Sequence, residues 1–198
     1  MIGILLVCGL VQAGDRTLVG QLDREVIALQ QKVARLEEAV ATCSTETQPD
    51  PLFVELKSVL AGHPAQVRKR GGRVAVTLSL DTLFVPESRM VREEAGPLLD
   101  LLSTALKLHP TVSVTVTAHH DSSSIPGPFV KTFGSAWEFT AWRAALVVNV
   151  LSAQFGVSPA QLTAAGRGDQ EPVSSNDTSD GRTLNRRLVF LFDPRVAP

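Results

Sequence analysis

The sequence lacks a basic surplus, a long apolar run, a metal-ligand spacing and a nucleophile set beside a base, and each lack removes a class of function. Its 19 Lys and Arg are scattered among 20 Asp and Glu, for a net charge of −1 over 198 residues. No cationic stripe is left for a phosphate backbone, so no nucleic-acid partner is expected. His119, His120 and Asp121 are adjacent, but neighbouring strand residues point to opposite faces and no further His or Cys stands at ligand spacing. No metal or cofactor is therefore expected. Serines are plentiful, yet none sits in a nucleophile motif, which argues against an enzyme.

The N-terminus is apolar from Ile2 to the first charge at Asp15. That is short of the ~20 residues a spanning helix needs, and it fits the apolar part of a secretory signal without a positive n-region. Residues 1–14 are accordingly expected to be a signal peptide, with Ala13 before the cut, or a short membrane anchor. Cys8 offers lipidation as a rival, although Val7 is bulkier than the residue that usually precedes a lipoprotein cysteine.

Glycine and proline are also missing from residues 21–43, and Val19, Leu22, Val26, Leu29, Val33, Leu36, Val40 and Cys43 recur at alternating spacings of three and four. A seam this narrow, with Val at a and Leu at d, predicts a coiled-coil helix over 15–43 that pairs in parallel with a second copy, Lys32 reaching Glu37 of the partner. The alternative is a helix packed on its own domain, which normally carries a wider stripe. Cys43 falls at a d position, so an oxidising compartment would allow an interchain disulfide there.

Residues 44–51 contain two prolines among polar residues and read as a linker. A domain over 52–198 follows. Alternating or β-branched segments predict strands at Val74–Leu80, 111–120, Leu162–Gly166 and Arg187–Phe192. Helical patterns cover 94–108, 136–156 and Ser179–Asn185, with Gly156 as a C-cap. The alternation predicts an α/β sandwich, a mixed four-stranded sheet covered by helices on one face.

Four segments, "LDTLFVPESRMVREEAGPLLDLL", "VTAHHDSS", "AWEFTAWRAALVVNVL" and "LTAAGRGDQEPVSSNDTSDGRTLNRRLVF", resemble in order and spacing the OmpA-like C-terminal domain, especially its version in MotB stator proteins. The resemblance covers about residues 74–192. It implies non-covalent binding of peptidoglycan through the diaminopimelate of its stem peptide, in the periplasm or at the outer membrane. The free end of that residue is a zwitterion, which calls for a carboxylate against its ammonium and a planar guanidinium fork against its carboxylate.

The resemblance places the carboxylate at Asp121 and the guanidinium at Arg143, with Arg186 near the site and Arg187 supporting the fold. Thr140, Asn185 and Arg182 become supporting residues, the last two bracing the preceding loop. Each has a plainer reading: Asp121 as a turn or cap carboxylate, Arg143 as half of a structural ion pair, and Arg186 and Arg187 as charges that keep an edge soluble. The pattern also departs from the family. Ala118-His119-His120-Asp121 replaces Gly-His-Thr-Asp, Val85 stands where a carboxylate is common, and Ala136 where Asn is common, which implies a narrowed or altered pocket. The readings that remain are a wall-anchoring envelope protein, a stator-like motor component, and an OmpA-like scaffold that binds proteins without glycan. The stator reading would need a spanning helix with a proton-binding carboxylate.

Overall fold

The computed structural model describes residues 25–35, 50–85 and 88–194. The leader at 1–14, Cys8, Cys43, the seam positions before 25 and after 35, and the linker residues 44–49 lie outside the described residues. The chain divides into two units, Met1–Pro49 and Asp50–Pro198. In the first, residues 25–35 form a helix (α1). Its seam residues Val26, Leu29 and Val33 are all exposed.

The second unit opens with a proline at the start of its first helix. Asp50 accepts a hydrogen bond from Leu52 N on Oδ1 (3.0 Å), and Pro51 is the first residue of α2 (Pro51–Val59). Proline suits that position because the first amides of a helix have no intrahelical acceptor. Strands β1 (Ala65–Arg70) and β2 (Arg73–Ser79) then form a hairpin. Gly71 and Gly72 turn it with φ of 57° and 71°, the left-handed pair that a two-residue hairpin loop requires.

A short α3 (Leu80–Leu83) leads through a 3-10 turn at Glu93–Ala95 into α4 (Gly96–Leu108). β3 (Ser113–His119), α5 (Gly127–Val130), α6 (Ala136–Ala153), β4 (Leu162–Gly166), α7 (Ser179–Asn185) and β5 (Arg187–Asp193) complete the order. The sheet is mixed, with five strands in the order β1-β2-β5-β3-β4. Among the described residues only β3 and β4 pair in parallel. The expected four strands are thus corrected to five. β1 escapes the pattern because "AQVRKR" is an edge strand with little alternation, and its three successive cations at 68–70 guard an open edge.

One face of the sheet carries the core. The register aligns Val74–Phe192–Val114, Val76–Phe190–Val116 and Leu78–Leu188–Ala118 in three rows, and all nine side chains are buried. Leu56, Leu99, Leu102, Leu106, Val147 and Leu151 cover them from α2, α4 and α6. Residues on the opposite face, such as Thr77, Val189 and Thr115, are only half-buried, so the helices do cover one side.

α6 approaches β4 closely because Gly166 has no side chain. A Cβ there would lie 2.4 Å from Ala141 N and 2.8 Å from Ala141 Cα. Neither backbone atom can turn aside, so Gly166→Ala is expected to cost about 1–3 kcal/mol through forced separation of strand and helix. Urea unfolding measures this, and an unchanged midpoint would contradict the packing account.

Candidate ligand-binding site

Three chain segments converge because three strand ends lie side by side. The register pairs Ser79 at the end of β2 with Arg187 at the start of β5, and Arg187 with His119 at the end of β3. Leu80 N donates to Arg186 O (3.0 Å), which extends the alignment one residue beyond the sheet. Asp81, Arg186, His120 and Asp121 therefore emerge at one place. α6 adds Phe139 and Arg143, one helical turn apart. Its start is fixed by Ser135 Oγ, which accepts from Glu138 N (3.3 Å), while Glu138 Oε2 accepts from Gly134 N (2.9 Å).

Together these residues line a cleft of about 190 Å³. Its polar lining is Asp81, His120, Arg143 and Arg186, and its apolar lining is Leu80, Phe84, Val85, Pro126 and Phe139.

Arg143 is 5% exposed, and its guanidinium lies over Phe84 (4.1 Å to the ring centroid), Phe139 and Trp142 (both 5.2 Å) and Phe129 (5.4 Å). The rings of Phe129, Phe133, Phe139 and Trp142 stack on one another at 5.0–6.3 Å. π faces attract a cation but give it no oxygen acceptor. Among the described residues the buried Nη1 has no hydrogen-bond partner. Burial pushes the group down to about 10, which leaves it a cation at neutral pH. A structural ion pair for Arg143 is not found among the described residues.

Asp121 is 1% exposed. Its Oδ1 accepts from Ser123 N (2.9 Å) and from the Ser123 hydroxyl, and Oδ2 accepts from Arg186 Nη1 (2.5 Å). Burial alone would raise its carboxyl, but the Ser123 hydrogen bonds and the Arg186 guanidinium hold it below its ordinary value. His120 Nδ1 lies 2.8 Å from Asp121 O and 3.2 Å from Asp121 Oδ1. A carbonyl can only accept, so Nδ1 carries the ring proton. Arg186 bridges outward as well, with Nη2 3.3 Å from Asp81 Oδ2 and donating to Thr183 Oγ1 (3.0 Å).

The supporting residues hold this arrangement from behind. Thr140 Oγ1 donates to Ala136 O (2.8 Å) and accepts from Gly168 N (3.0 Å), tying the turn after β4 to α6. Asn185 is fully buried; its Oδ1 accepts from Val173 N (2.8 Å) and its Nδ2 donates to Ser174 O (2.9 Å) and Asn176 Oδ1 (2.8 Å). Arg182 Nη1 donates to Asn176 O (2.8 Å). Both thus fasten the loop before α7. Arg187 donates to Asn185 O (3.3 Å) and Glu171 O (2.9 Å), away from the cleft.

His119, next to His120, points to the opposite face of the sheet, where it is 4% exposed with no partner on Nδ1 among the described residues. Burial, reinforced by Arg187, Arg167 and Arg70, lowers it from 6.5 to about 4. Among the described residues no group of three or more His, Cys, Asp or Glu is placed to hold a metal ion. None of their helices is long and apolar enough to cross a membrane.

Sequence reasoning passed over Asp81, Phe84 and Phe129. Asp81 follows β2 as Asp121 follows β3, so the end of the first strand was the available signal. Phe129 left none, because its loop takes its path from tertiary packing. Ala136 lies beside Gly168 rather than in the cleft lining, whereas Val85 does line it.

The OmpA family model matches residues 83–186. Motility protein B of Bacillus subtilis (strain 168) is 27% identical over 135 residues, 68% of this chain and 51% of that protein. Outer membrane porin F of Pseudomonas aeruginosa is 32% identical over 113 residues, 57% of this chain and 30% of that protein. The chain thus spans about half or less of the length of these relatives. Among solved structures, the cell wall anchor of the T6SS from Pseudomonas aeruginosa is 31% identical with a TM-score of 0.63, over 76% of this chain and 100% of that one. A MotB-like protein from Desulfovibrio vulgaris shares the fold with a TM-score of 0.65 at 21% identity, over 73% of this chain and 90% of that one. With the family model matching residues 83–186 of 198, and with that fold in the structure, the chain belongs to the OmpA family.

Proposed function

We propose that the chain is an envelope protein, held in the periplasm or at the outer membrane, whose OmpA-family domain grips peptidoglycan by binding without catalysis. The observation that carries the reading is Arg143, a buried guanidinium that lines a cleft and has no acceptor for Nη1 among the described residues. A buried cation of this kind calls for an anion. The carboxylate at the free end of diaminopimelate supplies one in a bidentate shape that the fork matches. Arg186 stands beside it, and Asp121 provides negative charge behind the cleft wall for the ligand's ammonium. The similarity to the cell wall anchor from Pseudomonas aeruginosa supports a wall-tethering role for such a cleft.

The exposed seam residues Val26, Leu29 and Val33 support a parallel homodimer, with Cys43 placed by its heptad position to bond across the axis. Two cleft-bearing domains on one polymer gain avidity from their effective concentration.

Co-sedimentation of the full chain with isolated sacculi tests both ideas. The protein is expected to pellet with diaminopimelate-type wall and to stay in solution with lysine-type wall, whose stem residue has no carboxylate at its free end. Leu29→Asp, which removes the seam, is expected to yield a monomer that sediments about tenfold more weakly. Equal pelleting with both walls would contradict diaminopimelate recognition, and a folded dimer that pellets with neither would end the anchor reading.

A further inference from the structure

β1 (Ala65–Arg70) stands at one end of the strand order and pairs with β2 in an unbroken register from Ala65↔Leu78 to Arg70↔Arg73. In an antiparallel pair, alternate N–H and C=O groups point away from the partner strand. Among the described residues the hydrogen bonds of β1 beyond that pairing are limited to Ala65 N, which donates to His63 O (2.7 Å). The remaining edge is open backbone already in strand geometry, the template onto which another extended chain adds.

The side chains give that edge a charge. Arg68, Lys69 and Arg70 are exposed, and none forms an ion pair among the described residues. Arg73, across the hairpin from Arg70, is taken by Asp193 (2.6 Å). Directly opposite residues share a face of the sheet. Lys69 is opposite the core residue Val74 and so stands on the helix-covered side, where its Nζ and that of Lys57 lie 5.3 and 5.8 Å from the centroid of the Phe53 ring. Arg68 and Arg70 are opposite Ala75 and Arg73, on the other side. The edge is thus cationic on both faces. A second copy would bring three more cations to the same seam, and like charges set opposite one another are unfavourable; Asp or Glu at those positions makes favourable pairs instead. Cations on both faces of a strand also match a strand lying between them better than a flat lipid surface.

We infer that β1 is a docking edge for an extended acidic segment of a partner protein, which joins the five-stranded sheet as a further strand and is selected by Arg68, Lys69 and Arg70. Backbone pairing supplies the affinity and the cations supply the choice of partner. The charges that guard the edge therefore discriminate: they turn away a like strand and admit an unlike one. β1 contributes no residue to the cleft lining, so occupation of the edge leaves the cleft open.

Fluorescence anisotropy of the full chain with a labelled short peptide of alternating Glu and Val tests this. Two further peptides accompany it, one with Lys in place of Glu and one with the Glu and Val sequence but methylated backbone amides. The Glu peptide is expected to bind at least about tenfold more tightly than either. The methylated peptide keeps every charge and loses the ladder donors, so it separates strand pairing from attraction alone. The double variant Arg68→Glu with Arg70→Glu, both side chains exposed, is expected to weaken the Glu peptide at least about tenfold and to gain affinity for the Lys peptide. Amide hydrogen exchange is expected to slow across residues 65–70 when the Glu peptide binds. Equal binding of the methylated peptide would reduce the edge to a charged patch, and binding of phosphatidylglycerol vesicles in place of the Glu peptide would assign it to lipid. Either result overturns the docking edge, as does the absence of Glu-peptide binding up to about 1 mM. None of these outcomes bears on the wall-binding reading.

Discussion

Arg143→Met is expected to abolish retention on the wall while leaving the domain at least as stable as the parent. The guanidinium is 5% exposed, has no acceptor on Nη1 among the described residues, and lies over four aromatic rings. Desolvating it costs the folded state stability that the rings offset only in part. Methionine fills the same slot against Phe84, Phe129, Phe139 and Trp142 with an apolar, adaptable chain. Stability is expected to hold or to rise by about 1 kcal/mol, and affinity for the diaminopimelate-containing tripeptide of the wall to fall by about 100-fold, as the proposed binding by the guanidinium fork requires. Lysine is expected to restore little, because a point charge does not reproduce the planar fork. Thermal melts and sacculus co-sedimentation on the same preparations decide the matter. A methionine variant that melts well below the parent would make Arg143 a structural residue, and one that still pellets would remove it from the site.

The second large effect concerns pH and lies on the other side of the sheet. The unfolded chain takes up a proton at His119 near 6.5, whereas the folded chain resists it until about 4. Between those values the unfolded state binds more protons, so stability is full above pH 6.5 and declines as pH falls toward 4. Allowing for solvent screening, the loss is about 2 kcal/mol. His119→Val is expected to flatten the curve across that window and to leave the fold intact, since valine suits a strand and removes a ring nitrogen that has no partner among the described residues. Asp121 acts in a separate window: its carboxyl is held below 3.8, so its contribution disappears only in stronger acid. Urea unfolding across the range measures both. The His119 account fails if the valine variant keeps the parent's slope between pH 6.5 and 4.

Much of this was legible in the sequence, for reasons that can be named. The rows led by Val74, Val76 and Leu78 announced themselves by period-two alternation, and α6 by a long run without breakers ending near Gly156. β1 was not visible because an edge strand needs no apolar face of its own, although the Gly71-Gly72 turn was a usable sign. Arg143 drew attention as a charge in an apolar stretch. Its partners did not, since Phe84 and Phe129 are distant in sequence and are brought together only by the close approach of α6. The positions of Asp121 and Arg186 followed from family likeness. That they bind each other, with Arg186 also meeting Asp81, depended on the register of three strand ends.

The last strand in sequence is the central strand in space. β5 (Arg187–Asp193) lies between β2 and β3 and contributes one residue to each of the three core rows. β2 and β3 each pair with β5, so the β1–β2 hairpin and the parallel β3–β4 pair are joined in the sheet through this strand. Arg186 stands beside Asp121 because β5 lies against β3, so the pairing of these two side chains depends on the middle of the sheet being in place.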